Sequence, residues 1–117
     1  MSSYLKRVFR WQNGRQQTGY KKMLLATASW PFKFDMYLLK FSEGHAVPPH
    51  KDQVDLGRHF RLNIILKHPK EGGDFQCDKP IFETRSIKLF RPDIRQHSVS
   101  EIISGTRYVY SLGWILK

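Results

Sequence analysis

The sequence predicts an all-β domain, either a sandwich or a barrel of about seven or eight short strands. Short runs of aromatic and β-branched residues recur along the chain, and glycine, proline and other turn residues separate them. No segment carries the three-to-four-residue apolar spacing of an amphipathic helix. The length of 117 residues fits one domain, so we expect residues 1–117 to form a single unit.

We expect a basic, aromatic N-terminal extension over residues 1–33 and a β-sheet core over residues 34–117. In chain order, the predicted strands are residues 34–41, 45–52, 60–67, 74–77, 81–83, 86–90, 97–103 and 106–116. Residues 45–52 contain Pro48 and Pro49, which cannot donate to a sheet, so this segment is at most an edge or irregular strand. Residues 70–73 (Lys-Glu-Gly-Gly) form a turn, and Pro92 and Gly105 end the strands before them.

Two of the predicted strands alternate clearly, because successive side chains of a strand point to opposite faces. In residues 60–67, one face takes Leu62, Ile64 and Leu66, and the other takes Arg61, Asn63 and Ile65. In residues 106–116, one face is aromatic and leucine-rich, and the other carries Arg107, Val109, Ser111, Gly113 and Ile115.

The charge and composition exclude several classes of protein. No apolar run approaches the roughly 20 residues that span a bilayer, and no apolar signal segment follows the first basic residues, so we expect a cytoplasmic protein without a membrane partner. The single cysteine, Cys77, excludes an internal disulfide framework and a Cys-based zinc site. Lys and Arg number 20 against 10 Asp and Glu, a net charge of +10, which indicates either an anionic partner or a generally basic surface.

The basic excess is concentrated in residues 1–35, where seven basic residues face one acid, Asp35. Aromatic residues are interleaved with them: Tyr4, Phe9, Trp11, Tyr20 and Trp30. Such a segment can bind phosphates and stack on bases. It can equally form a pair of strands whose aromatic side chains cover a sheet, and we favour this interpretation. Residues 1 to about 15 are expected to be disordered or to form one short helix.

The first chemical feature is the pair His50 and Asp52. Positions i and i+2 of an extended segment project from the same face, so the imidazole and the carboxylate can point at one spot. His97 follows 45 residues after Asp52, at the start of another predicted strand. Two histidines and one carboxylate form the facial triad that binds Fe(II) and leaves positions open for substrate and oxygen. Because the chain has five histidines, incidental surface histidines are the alternative interpretation.

The second chemical feature is Arg107, ten residues after His97, with Ser111 on the same face of the last predicted strand. A guanidinium binds a carboxylate through two parallel hydrogen bonds, and a hydroxyl can add a third. Such a pair could hold one end of a dicarboxylate whose other end chelates the metal. The alternative interpretation is that Arg107 is solvated or paired with another side chain, as arginines on strands usually are.

The spacing of these residues closely resembles that of the Fe(II)- and 2-oxoglutarate-dependent oxygenases, with the best match to the prolyl-4-hydroxylase-like branch. The resemblance covers about residues 34–116, and the matching segments include residues 37–44, 71–75 (Glu-Gly-Gly-Asp-Phe), 89–92, 97–99, 105–108 and 112–114. It implies a double-stranded β-helix, a minimal jelly-roll or cupin-like barrel with few or no helices. It also implies His50, Asp52 and His97 as iron ligands and catalytic residues.

The same resemblance implies that 2-oxoglutarate chelates the iron and that Arg107 and Ser111 bind its 5-carboxylate. Members of that branch often place a tyrosine on the co-substrate where Phe41 or Ile65 stands here, so Tyr37 and Asn63 are the expected replacements. For Asn63, a polar residue satisfied by neighbouring backbone is an equal alternative. We expect structural or surface roles for the residues that lack a carboxylate or an activating partner: His45, His59, His68 and Cys77.

The function implied is hydroxylation or oxidative demethylation of a substrate, with release of succinate and CO2. Its cofactors are Fe(II), 2-oxoglutarate and O2, with ascorbate as an optional reductant. The alternatives are a cupin-like metalloenzyme that does not use 2-oxoglutarate and a basic nucleic-acid-binding β-barrel without catalysis. The net charge favours an anionic substrate, either nucleic acid or an acidic protein region, whereas the resemblance favours a protein side chain. A second subunit, in a homodimer, is a further candidate to cover one sheet.

Overall fold

The computed structural model describes residues 9–13 and 20–117, and every regular element within them is a β-strand. In chain order the strands are β1 (Trp11–Asn13), β2 (Lys21–Ala28), β3 (Lys33–Phe41), β4 (Val47–His50), β5 (Arg58–Lys67), β6 (Glu71–Gly72), β7 (Phe75–Cys77), β8 (Phe82–Glu83), β9 (Ile87–Phe90), β10 (His97–Val99), β11 (Ile102–Ser104) and β12 (Arg107–Leu116). None of the described residues forms a helix long and apolar enough to cross a membrane.

Seven strands form one large antiparallel sheet in the order β1-β2-β3-β12-β5-β9-β8. Strand β12 lies at the centre of this sheet and pairs with both β3 and β5. Opposite it, β4, β10 and β7 form a three-stranded sheet, and β11 pairs with β6. The prediction of an all-β domain is therefore confirmed.

The hydrophobic core lies between the large sheet and the smaller ones. Each side contributes three buried apolar side chains: Phe41, Ile65 and Val109 from the large sheet, and Val47, Val99 and Ile102 from the others. Burying a side chain of this size stabilises the fold by roughly 1.5–3 kcal/mol. This cluster holds the two layers together.

The more polar face of each alternating strand points inward. Asn63 and Ile65 of β5 are buried, whereas Leu66 is 59% exposed. Arg107 and Ser111 of β12 are buried, whereas the aromatic side chains of this strand are only half-buried on the outer face. The inner surface of the large sheet therefore carries buried polar side chains as well as the apolar side chains of the core.

The segment predicted as one strand at residues 97–103 is two strands. β10 pairs with β4 and β7, whereas β11 pairs with β6, so one continuous strand cannot serve both sets of partners. The predicted turn at residues 70–73 contains the short strand β6. Gly73 has a φ of 68°, and a side chain there would collide with Ile102, which explains why glycine occupies this position.

The N-terminal extension contributes strands to the large sheet. β2 pairs with β3 and β1 pairs with β2, so the interpretation as a strand pair is confirmed for this part of the chain. The expectation of disorder or a short helix is wrong for Trp11–Asn13, because these residues pair with β2; the rest of that segment, residues 1–8 and 14–15, lies outside the described residues. The ring of Tyr20 also stacks on Phe41 with centroids 4.9 Å apart, so this segment packs against the predicted core as well as pairing with it.

Ile102→Ala should lower the free energy of unfolding by about 2–5 kcal/mol, because Ile102 is fully buried between the sheets. Ile103→Ala is the matched control on the same strand, since Ile103 is 53% exposed and its loss should cost about 0.5 kcal/mol or less. Urea denaturation of both variants measures the difference. Equal losses would show that β11 does not contribute to the core as described.

Candidate metal centre

The pairing of β4 with β10 brings two histidines together. His50 and His97 are direct partners in this antiparallel pair, and their ring centroids lie 4.2 Å apart. Asp52 follows β4, and its backbone N–H donates to the carbonyl of Pro92 at 2.7 Å. This bond fixes the extended course of the chain after His50, so that the carboxylate points to the same spot as the imidazole.

The three side chains converge as a metal-binding set. One carboxylate oxygen of Asp52 lies 3.4 Å from Nε2 of His50, and the other lies 3.3 Å from Nε2 of His97. One candidate ligand atom from each residue lies within 4.8 Å of the others. Two ligands at right angles around an ion, each about 2.1 Å from it, are themselves about 3 Å apart. The separations are thus close to those of three ligands on one face of a coordination sphere.

The backbone orients both imidazoles for metal binding. Nδ1 of His50 lies 2.9 Å from the carbonyl oxygen of Pro48, and Nδ1 of His97 lies 3.1 Å from that of Arg95. A proton on each Nδ1 satisfies these carbonyls and leaves Nε2 as the lone-pair donor, the usual arrangement for histidines that bind a metal. The donor set of two neutral imidazoles and a carboxylate suits Fe(II) with open positions.

Aromatic side chains pack around the buried histidine. The ring of Phe90 lies 5.1 Å from the ring of His97, and that of Phe75 lies 6.4 Å from it. His97 is 9% exposed, whereas the Asp52 side chain is 39% exposed. The centre therefore has one apolar wall and one open side at Asp52.

The candidate metal ligands and the predicted co-substrate residues line one cavity of about 360 Å³. Its walls contain all seven residues singled out from the sequence: His50, Asp52, His97, Arg107, Ser111, Tyr37 and Asn63. The large sheet supplies the last four and the three-stranded sheet supplies the two histidines. The structure thus places the predicted site residues around a single space between the two layers.

Arg107 is buried in the wall of this cavity without a full set of partners. The residue is 2% exposed, and its Nε and Nη2 atoms are buried with no hydrogen-bond acceptor. Its guanidinium carbon lies 4.9 Å from the centre of the Phe41 ring, a cation–π contact that supplies no acceptor. Burial lowers the pKa of Arg107 to about 10, so the side chain keeps its positive charge at pH 7. An unsatisfied buried cation of this kind fits a site that receives an anion.

The hydroxyl of Ser111 is engaged with other partners than Arg107. It accepts a hydrogen bond from Nη1 of Arg61 at 2.7 Å and donates one to Oδ1 of Asn63 at 2.6 Å. Ser111 also lies four residues from Arg107, about 13 Å along an extended strand. In the structure Ser111 therefore interacts with Arg61 and Asn63. Arg107 remains the candidate residue for binding an anion.

Asn63 and Tyr37 both line the cavity as expected. Oδ1 of Asn63 accepts a hydrogen bond from the Ser111 hydroxyl, so its partner is a side chain and not the neighbouring backbone. The ammonium of Lys22 lies 5.2 Å from the centre of the Tyr37 ring, so Lys22 joins Arg61 and Arg107 among the basic side chains that line the cavity.

Sequence reasoning missed a polar network beside the metal centre. Nη2 of Arg61 donates to Asp35 at 2.7 Å and lies 3.4 Å from Nε2 of His59. Arg61, Gly113 and Asp35 occupy one register across β5, β12 and β3, and a side chain at Gly113 would collide with the Arg61 guanidinium. The alternation of side chains along β5 and β12 could have indicated this network. It places Arg61 on the same face as Asn63, and Gly113 on the same face as Arg107.

The remaining histidines and the cysteine have no metal-binding partners among the described residues. Nδ1 of His45 accepts from the backbone N–H of Ser42, and Nε2 of His68 contacts the Ser86 hydroxyl. His59 lines the cavity, and burial and the nearby Arg61 lower its pKa. Burial raises the pKa of Cys77 to about 11, which keeps its thiol protonated and unreactive at neutral pH.

The fold is that of a cupin, a minimal jelly roll or double-stranded β-helix, as expected. The chain is similar in structure to KdgF from Halomonas sp., with a TM-score of 0.60 and 14% identity over 92% of this chain and 87% of that chain. It is also similar to the Schizosaccharomyces pombe Cnp3 cupin domain (TM-score 0.62, 13% identity, 96% and 72% covered).

A prolyl-4-hydroxylase from Pseudomonas putida shares the fold as well (TM-score 0.67, 11% identity, 98% and 80% covered). At these identities the likeness shows the fold and does not single out one branch of jelly-roll proteins. No family model matches the chain, and no curated protein matches it in sequence.

Replacing His50, Asp52 or His97 with alanine should weaken binding of Mn(II) or anaerobic Fe(II) by about 100-fold or more, because each supplies one of three ligands. His68→Ala is the control, since His68 contacts Ser86 away from the triad. Isothermal titration calorimetry measures the affinities. A triad variant with unchanged affinity would exclude that residue as a ligand.

Proposed function

We propose that this protein is an Fe(II)- and 2-oxoglutarate-dependent dioxygenase. The observation that carries the proposal is the buried, incompletely paired guanidinium of Arg107 in the same cavity as the triad of His50, Asp52 and His97. A facial triad alone serves many metalloenzymes. A triad that shares its cavity with a separate carboxylate receptor fits a co-substrate with a chelating end and a carboxylate end.

The energetic argument favours a ligand for Arg107. A buried guanidinium without acceptors destabilises the fold, since its desolvation is not offset by hydrogen bonds. A carboxylate bound there supplies two charge-assisted hydrogen bonds in the fork geometry of arginine. Because the desolvation of the Arg107 guanidinium has already occurred on folding, the new hydrogen bonds contribute more fully to the affinity for a dicarboxylate such as 2-oxoglutarate. Arg61, the other guanidinium in the cavity wall, is already neutralised by Asp35.

In the proposed reaction a substrate C–H bond, O2 and 2-oxoglutarate give a C–OH group, succinate and CO2. Iron bound by the triad supplies the redox chemistry that activates O2. One oxygen atom enters the substrate and the other enters succinate, so atoms and electrons balance. Oxidative demethylation follows the same balance, with hydroxylation of a methyl group as its first step.

The residues of this chain orient the reactants and limit water access. His50 and His97 keep Nε2 directed at the metal through their Nδ1 contacts to backbone carbonyls. Arg107 holds the distal carboxylate, and Phe41 packs against its guanidinium. Phe75 and Phe90 exclude water on the His97 side, and the exposed side at Asp52 leaves an entrance for the substrate.

A cupin-type metalloenzyme that does not use 2-oxoglutarate is the second candidate. The fold is compatible with both candidates, since the TM-score is 0.62 to a cupin domain and 0.67 to the prolyl-4-hydroxylase. The engagement of Ser111 with Asn63 removes one expected ligand of the 5-carboxylate. Under this alternative, metal binds but 2-oxoglutarate does not.

Anaerobic titration with Fe(II), with and without 2-oxoglutarate, distinguishes the two candidates. Bidentate chelation should produce a weak metal-to-ligand charge-transfer band in the visible range, and exposure to O2 should then yield succinate. The triad variants should give neither signal. Iron binding with no band and no succinate would favour the second candidate.

Arg107→Met should weaken 2-oxoglutarate binding by about 100-fold or more, because it removes the charge-assisted bonds to the distal carboxylate while metal binding is retained. The same change should raise the free energy of unfolding by about 1 kcal/mol, since it replaces a buried unpaired charge with an apolar side chain of similar volume.

Arg107→Lys keeps the charge without the fork and should recover part of the affinity. Arg85→Met, at an exposed position between β8 and β9, is the control and should change neither quantity. Competition titration and urea denaturation measure the two effects. A large loss of stability in Arg107→Met would instead indicate a structural role for the guanidinium.

A further inference from the structure

A second, larger cavity of about 820 Å³ lies beside the metal centre. We call it the loop groove. It lies between the β2–β3 connection and the β4–β5 connection, at the end of β12, and its lining includes Ser29, Pro31, Phe32, Lys33, Asp55, Leu56, Arg58 and Ile115. Its volume lies within the range of ligand sites, which is about 300–1,000 Å³.

At two places in the chain, consecutive residues line the metal cavity and the loop groove. Asp52 lines the metal cavity, and the next residue, Gln53, lines the groove. His59 lines the metal cavity, and the preceding residue, Arg58, lines the groove. Since the Asp52 side is also the exposed side of the triad, a ligand in the groove lies next to the entrance of the metal centre.

The groove combines positive charge with the exposed ring of Phe32 in its lining, and the exposed indole of Trp30 is adjacent to the lining in the chain. Its lining carries three basic side chains, Lys33, Arg58 and Lys117, against one acidic side chain, Asp55. Phe32 lines the groove and is 43% exposed. Trp30 is not part of the lining, but it lies in the chain between the lining residues Ser29 and Pro31 and is 84% exposed, so its indole is available to a ligand in the groove. Exposed rings next to basic side chains are the chemistry that binds single-stranded nucleic acid, because the rings stack on bases and the cations pair with phosphates.

We propose that the loop groove binds single-stranded nucleic acid and that this polymer is the substrate class of the metal centre. An acidic peptide would satisfy the basic side chains but would leave the solvent-exposed indole of Trp30 without a stacking partner. The net charge of +10 favours a polyanion of either kind, so the aromatic rings decide between the two. The identification of the polymer as a substrate rests on the proposed function, whereas its binding in the groove does not.

Fluorescence anisotropy of the metal-free protein with a short labelled oligothymidylate tests the binding. Trp30→Ala should weaken it about tenfold through loss of one stacked base. Lys33→Ala and Arg58→Ala should each reduce the slope of log affinity against log salt concentration by about 0.7, the value for one contact with a single strand. Trp30, Lys33 and Arg58 are exposed, so these variants should fold normally, and thermal unfolding checks this.

Lys70→Ala is the matched control. Lys70 is exposed, and its backbone N–H contacts Ser104, next to the start of β12, whereas the groove lies at the end of that strand. Ten residues of β12 separate the two ends by roughly 30 Å. Oligothymidylate affinity should stay unchanged in this variant.

Two outcomes overturn the proposal: no salt-dependent binding of oligothymidylate, or a polyglutamate peptide that binds as tightly and is indifferent to Trp30→Ala. Failure of the proposed function is a separate result, since it appears as absent 2-oxoglutarate turnover while groove binding persists. Stimulation of succinate formation by oligothymidylate in the unmodified protein, lost in Trp30→Ala, would link the groove to the metal centre.

Discussion

The double pairing of β12 with β3 and β5 is the constraint on which the cavity depends. Because β12 is hydrogen-bonded on both sides along most of its length, its side chains can point only inward or outward, and a slip of one residue would exchange the two sets. The observed register turns Arg107, Ser111 and Gly113 inward and the aromatic residues outward. This single register determines the burial of Arg107, the position of the Ser111 hydroxyl in the cavity and the space that Gly113 leaves for Arg61.

The two guanidiniums in the cavity wall show how the protein separates a structural charge from a binding charge. Arg61 is bound by Asp35 and Ser111 and lies over Gly113, so its charge is used within the fold. Arg107 lies deeper, beside Phe41, where two of its nitrogen atoms meet no acceptor. The hydrogen-bonding groups of Arg61 already have acceptors within the fold, whereas the two unpaired nitrogen atoms of Arg107 can still gain acceptors from a ligand. This difference is the reason for proposing Arg107, and not Arg61, as the residue that binds an anion.

The clustering of His50, Asp52 and His97 was the most predictable feature of the candidate site. An i, i+2 pair in an extended segment must share a face, so His50 and Asp52 could be assigned to one spot before any fold was known. His97 needed the added resemblance, because nothing local relates it to a strand 45 residues earlier. The role of Ser111 was harder to predict, because parity shows which face of the strand a residue shares but not which side chains of the neighbouring strand it meets. The hydroxyl instead reaches Asn63 and Arg61 on the neighbouring strand.

The sequence by itself determined the all-β class, most of the strand positions and the residue types of the candidate metal centre, because these depend on local periodicity and on turn-forming residues. Only the tertiary structure decided that residues 97–103 divide between two sheets, that the N-terminal extension joins the large sheet, and that Arg61 reaches Asp35 across Gly113. These features depend on which strands become neighbours. Strand pairing brings together residues far apart in the chain, and local pattern carries no information about the partner.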